Sequence, residues 1–151
     1  MKLILASISP RKSRSKSAPA EALFDEFLAR AARYTPTEAA VFDSEAALLA
    51  ATERKPNQPA ATLILCDSIG ELLTSTQFAE TIRHLRDSST QRLMLAIGPA
   101  DGWSAAARSQ AGRIVSFGRI TLPHELARVV LAEQTYRALT ILAGHPYHSG
   151  H

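Results

Sequence analysis

The chain has 151 residues, 46% of them hydrophobic, which is enough for one domain with its own core and too few for two ordinary ones, so residues 1–151 read as a single domain. No apolar run approaches the roughly eighteen residues that span a bilayer, and Leu3, Ile4, Leu5 and Ala6 are too few for the apolar part of a signal peptide. Together with a single cysteine, Cys66, which excludes an internal disulfide, this predicts a cytoplasmic protein with no membrane partner, and a net charge of +3 that is compatible with nucleic acid without arguing for it.

In chain order, residues 2–7 read as a strand. Arg11, Lys12, Arg14 and Lys16 follow, spaced with serines: a solvated basic loop, or an arm for phosphates. Residues 18–34 read as a helix capped by Ser17, with Pro19 in its first turn and Leu23, Phe24, Phe27 and Leu28 on its apolar face. A short strand at 38–42 and a helix at 45–54, capped by Asp43 or Ser44, precede a loop at 55–59. Residues 62–66 have the continuous apolar character of a buried strand. Thr74 to Gln77 form a capping box, opening a helix that buries Phe78, Ile82 and Leu85. Residues 92–97 are a fourth strand. A glycine-containing turn, a short alanine-rich helix and a fifth strand at 113–117 complete the series.

Strand–helix alternation repeated in this way argues for an α/β fold, a parallel sheet with helices on both faces, of flavodoxin-like or Rossmann-like appearance. Ligands of such sheets sit beyond the carboxyl ends of the strands. The loops after Cys66, after Ile97 (where Gly98 and Gly102 carry no side chain) and after residue 117 are therefore the places to look. Trp103 in the second of these reads as loop packing.

The last segment is the most informative. Thr121 can cap a long helix with Pro123 and Glu125 in its first turn, and Gly144 can end it. Its apolar surface, from Leu126 through Val129, Val130, Leu131 and Tyr136 to Leu139, is wider than one stripe, as for a helix covered on more than one side, and a second copy of the chain across a two-fold interface is expected as a covering partner. Glu133 and Arg137 form an i,i+4 pair of opposite charge. A purely structural ion pair is one reading of them, as a docking anchor is of Tyr147. His145, His148 and His151 lack the fixed helical spacing or carboxylate partner of a zinc set, and no metal site is expected.

Thr121-Leu122-Pro123-His124, then Ala132-Glu133-Gln134-Thr135-Tyr136-Arg137-Ala138, then His145-Pro146-Tyr147-His148 resemble the C-terminal signature of the RlmH family. These are small bacterial enzymes of the SPOUT class that use S-adenosylmethionine (SAM) to methylate N3 of a pseudouridine in large-subunit ribosomal RNA. The resemblance implies a SPOUT-type sheet in which the C-terminal segment threads a loop to make a trefoil knot, an exception to the unknotted rule. It implies a SAM pocket at Cys66, Gly98 and the run Phe117, Gly118, Arg119, Ile120, Thr121 and Leu122. It also implies an acceptor site at Glu133, Arg137, Tyr147 and His148, with Arg137 on a phosphate or carbonyl, Tyr147 stacked on a base, and His148 or Glu133 taking a proton. The implied partners are a second copy of the chain, sharing a composite site, and ribosomal RNA, free or in the assembled ribosome, with no DNA. A non-catalytic RNA- or ribosome-binding paralogue would keep the same fold. The chain departs from the family pattern in the shorter stretch between its second and third strands, in the opening loop Ser7-Ile8-Ser9-Pro10, and at two further places. Pro99 stands where a second glycine is usual, which removes an amide donor, and the tail continues as Ser149, Gly150 and His151 where a basic residue is usual.

Overall fold

Leu3 to Ile8 are buried at every position with Ser7 the only polar side chain among them, as required of a parallel strand covered on both faces. The computed structural model describes residues 1–9 and 17–149, so the basic stretch with Arg11, Lys12, Arg14 and Lys16 lies outside the described residues. Five parallel strands lie in the order β2-β1-β4-β3-β5: β1 Lys2–Ile8, β2 Thr37–Phe42, β3 Thr62–Leu72, β4 Arg92–Ile97 and β5 Arg113–Ser116.

The side chains alternate between two apolar layers. Leu3, Leu5, Ile64, Leu93 and Leu95 meet helices α1 (Ala18–Ala31), α3 (Ser75–Asp87) and α5 (His124–Leu142) through Phe24, Phe78, Ile82, Leu131 and Leu139. Ile4, Ala6, Leu63, Leu65 and Met94 meet α2 (Glu45–Thr52) and α4 (Ala105–Gln110) through Leu48 and Ala107, with Trp103 from the preceding loop. Helices thus cover both faces, as the alternation of periods predicts. Ser44 is the residue that caps α2, accepting the Ala47 N–H at 3.1 Å, and Thr74 and Gln77 form the reciprocal capping box of α3; caps of this kind contribute about 1 kcal/mol each.

Several expectations need correction. Leu23 is 42% exposed, and the other predicted positions of α1, Phe24, Phe27 and Leu28, do pack on the core, with Ala31 buried beside them. β3 does not stop at Cys66. Cys66 and Glu71 both stand opposite Val115, so residues 67–70 bulge out of the ladder before pairing resumes. Gly70 permits the return, because a Cβ there would lie 2.6 Å from the Val115 carbonyl carbon. Thr121 does not cap α5. Pro123 occupies the N-cap position, no side chain caps the helix, and Thr121 belongs to the loop before it.

The breadth of the apolar surface of α5 is explained inside the chain. The helix lies between α1 and α3 on the sheet, and Val129, Leu131, Ala132, Tyr136, Ala138 and Leu139 are buried by those neighbours. Its width alone therefore does not require a partner. Arg128 fastens its start to α1, 2.9 Å from Glu21 and with its guanidinium 4.4 Å from the Phe24 ring centroid. Gly144, at φ 68°, ends it as predicted.

Candidate functional site

Beyond the carboxyl ends of β3 and β4, a cavity of about 550 Å³ opens between three loops. Cys66, Asp67 and Ser68 come from β3 and its bulge, residues 97–100, 102 and 103 from the end of β4 and the loop after it, and residues 116–118 and 120–124 from the connection between β5 and α5. Of the eight residues assigned to a cofactor by resemblance, Cys66, Gly98, Phe117, Gly118, Ile120, Thr121 and Leu122 line this space, and Arg119 does not. Pro99 lines it too, so the lost amide donor falls inside the site.

The floor is fixed by hydrogen bonds. Trp103 Nε1 donates to the Cys66 carbonyl at 3.0 Å, and its indole packs against Gly98. Burial, followed by the charge of Asp67, pushes the Cys66 thiol up to about 12, so it is a neutral thiol and any polar service from this residue is through its backbone. Asp67 accepts from Arg108 Nη2 at 3.0 Å and from the Ile69 N–H at 3.2 Å, which shapes the bulge. Across the opening, His124 Nδ1 lies 3.2 Å from the Gly98 carbonyl, and since a carbonyl only accepts, the proton sits on Nδ1. His124 Nε2 is buried with no protein partner among the described residues. Burial holds this imidazole below its usual range. The Gly98 bond opposes that shift, Arg128 adds to it, and Glu125 opposes it. Asp67 and His124 were not singled out in the sequence, although both sit inside stretches that were.

A second constellation lies at the far end of α5, where the 3-10 turn Pro146–His148 folds back. Glu133 Oε1 accepts from Tyr147 Oη at 3.0 Å and from Arg137 Nε at 3.0 Å, with Arg137 Nη2 a further donor. Arg137 Nη1 lies 3.2 Å from His148 Nδ1, and its guanidinium sits 4.9 Å from the Tyr147 ring centroid. Burial and the bond to Glu133 raise the Tyr147 hydroxyl above its usual range, so it remains a donor. The four acceptor-site candidates are therefore brought together, but not beside the cavity. Glu133 lies nine positions after His124 on one helix, about 14 Å along its axis at ~1.5 Å per residue.

This fold, with a ligand-sized cavity at the strand ends closed by the connection into a C-terminal helix, defines a methyltransferase class: the chain belongs to the SPOUT methyltransferase family, whose model, described as "Predicted SPOUT methyltransferase", matches residues 1–148. Within that class it is similar to proteins named ribosomal RNA large subunit methyltransferase H. That of Koribacter versatilis (strain Ellin345) is 45% identical over 138 residues, 91% of this chain and 94% of the relative. That of Methylocella silvestris is 40% identical over 162 aligned positions, covering 98% and 99% of the two chains. The resemblance read from the C-terminal segments thus extends over the chain. Among solved structures it is similar in fold to the SpoU methyltransferase AviRb from Streptomyces viridochromogenes in complex with the cofactor AdoMet, with a TM-score of 0.52 and 14% identity over 95% of this chain. The chain spans 59% of that protein's length.

Proposed function

We propose that this protein transfers the methyl group of SAM to large-subunit ribosomal RNA, at N3 of a pseudouridine, and does so as a homodimer. The observation that carries the reading is the cavity. At about 550 Å³ it falls within the roughly 300–1,000 Å³ of small-molecule sites, and its walls suit the cofactor. Ile97, Ile120, Leu122 and Pro123 can enclose an adenine, and the backbones of the three loops can meet its polar edge. When bound, SAM supplies a methyl group already activated on a sulfonium, so the protein's share of the work is alignment at about 3 Å from the acceptor.

The tail constellation is the acceptor side of this reading. Glu133 Oε1, engaged by Tyr147 and Arg137, fixes those two side chains. Tyr147 offers a ring for a base and Arg137 a fork for a phosphate or base carbonyl. His148, whose Nδ1 lies 3.2 Å from Arg137 Nη1, is the imidazole placed beside this group to take the imide proton. Because this group and the cavity lie at opposite ends of one helix, the tail of a second copy completes each site. Ile69, Leu72, Ile120 and Leu126, exposed at 68%, 52%, 75% and 49%, offer the apolar surface for that pairing. A groove of about 260 Å³ between Leu72, Phe117, Val130 and Gln134 borders it. We also propose the trefoil knot. What supports it is the course of the chain, which leaves β4 for the sheet edge at β5 and then returns, so that α5 packs over β4 and His124 meets Gly98.

Calorimetry with SAM and a methyl-transfer assay on large ribosomal subunits test this together. Absence of SAM affinity removes the methyltransferase reading, and RNA binding without transfer identifies a non-catalytic paralogue.

A further inference from the structure

Next to the tail constellation, on the side away from the SAM cavity, Arg30, Arg33, Tyr34, Tyr136 and His145 line a separate hollow of about 330 Å³. Among the described residues its lining contains no carboxylate. Tyr136 is its inner wall and is shared with the acceptor group, since the Tyr136 and Tyr147 rings lie 4.7 Å apart. Tyr34, 39% exposed, stands 6.1 Å from Tyr136 at an angle of 57° and forms the rim. His145 is fixed at the other rim: its Nδ1 accepts the Tyr147 N–H at 3.2 Å, which leaves the ring proton on Nε2.

The two arginines differ. Arg30 is occupied structurally, paired with Glu26 and lying 5.6 Å and 5.8 Å from the Phe27 and Tyr136 ring centroids. Arg33 stands in the turn after α1, with an exposed side chain that has no ion pair or side-chain hydrogen bond among the described residues. A cation placed there to complement the C-terminal end of α1 would be an ordinary structural device. That role explains neither the aromatic rim nor the histidine donor opposite. The hollow therefore presents guanidinium donors, an imidazole N–H and a phenol, arranged around a ring face. This is the chemistry that recognises a phosphodiester with an adjoining base or ribose.

We propose that this hollow binds a backbone phosphate of the substrate RNA next to the nucleotide held at Tyr147, with Arg33 as the principal contact and Tyr34 as the stacking rim. The inference rests on the RNA-methyltransferase reading for the identity of the strand, not for the site. Bound there, the RNA is gripped on both sides of Tyr136, which adds affinity for the strand beside the acceptor.

The test measures binding of the full-length protein to large ribosomal subunits across a salt series, for wild type, Arg33→Gln and Arg33→Glu, with SAM affinity, melting temperature and sedimentation alongside. Arg33→Gln should weaken binding about 3- to 10-fold at low salt and reduce the slope of log affinity against log salt by about 0.7–0.9, one phosphate contact. KM for the RNA should rise with kcat little changed, and Arg33→Glu should be worse on every RNA measure. SAM affinity and melting temperature should not move. Unchanged RNA affinity and slope in both variants overturn the proposal, as does a loss that merely follows a lowered melting temperature. Inorganic phosphate that shifts the Tyr34 and His145 resonances while RNA binding ignores Arg33 also overturns it, in favour of a free-anion site. If wild type binds RNA through Arg33 yet transfers no methyl group, this proposal stands and the catalytic reading falls; if wild type binds no RNA, both fall.

Discussion

Gly98 lies against the indole of Trp103 so closely that a Cβ on the glycine would sit 2.7 Å from Trp103 Cε2 and 2.9 Å from Nε1. The glycine therefore serves the tryptophan first and any ligand second. The same indole nitrogen holds the Cys66 carbonyl, so residue 98 controls the floor of the cavity through Trp103.

Gly98→Val accordingly does not leave the fold untouched. Overpacking of this kind costs about 1–3 kcal/mol, and for a chain of about 150 residues each kcal/mol lowers Tm by about 2–4 °C. Calorimetry should show SAM affinity lost together with that drop. Trp103→Phe, which removes the donor to Cys66 and leaves part of the indole's buried volume unfilled, should weaken SAM and lower stability as well. Full SAM affinity in Gly98→Val would place the cofactor elsewhere.

The tail substitutions should separate from the cofactor. Tyr147→Ala and His148→Ala are expected to keep SAM affinity and to lower single-turnover methyl transfer at saturating RNA. Arg137→Ala should weaken RNA binding and flatten its salt dependence by about one contact. Glu133→Gln should resemble it, because Arg137 loses the negative charge that it pairs with and Tyr147 is left with a weaker, neutral acceptor. Activity falling only in step with melting temperature would reduce all four to tail anchors.

His124 makes stability depend on pH. Its folded-state proton affinity is below the usual imidazole value of about 6.5, so the unfolded chain binds protons more readily than the folded one. The stabilisation is complete above about 6.5 and is lost as pH falls from there through the lower folded value. His124→Asn keeps a donor toward the Gly98 carbonyl without titrating. Melting curves of this variant should lose the part of the acid decline that lies just below 6.5. Parallel curves for the two proteins would show that His124 protonates freely in the folded state.

Leu126→Glu tests the pairing of two copies. A charge among Ile120, Leu126 and Val130 should give a monomer by sedimentation at micromolar concentration, with SAM binding kept and methyl transfer lost. A wild-type monomer under the same conditions would remove the shared site.

The layered sheet was legible because burial on both faces leaves continuous apolar strands, and because caps such as Ser44 and Thr74 announce helix starts. What escaped was set by close backbone approach and by competition between neighbours. The bulge at residues 67–70 depends on Gly70 fitting against Val115, which no periodicity reports. Pro123 rather than Thr121 takes the N-cap position, since the preceding loop is drawn over the cavity. The wide apolar surface of α5 pointed to multiple covers and was right in that, but α1 and α3 supply them. The assembly of Glu133, Arg137, Tyr147 and His148 was readable as an ordered set of motifs. Its distance from the cavity was not, because spacing along a helix gives separation only once the cavity is known to sit at the helix start.

That separation turns α5 into a ruler. One end closes the cavity at the strand ends and the other carries the group of Glu133, Arg137, Tyr147 and His148, with Glu133 fixed relative to His124 by backbone geometry alone. A single inserted or deleted residue between them would move that group by about 1.5 Å and swing it by about 100° around the axis, against α1 or α3. Side-chain substitutions along the buried face can be absorbed by repacking, but a change of length between His124 and Glu133 cannot.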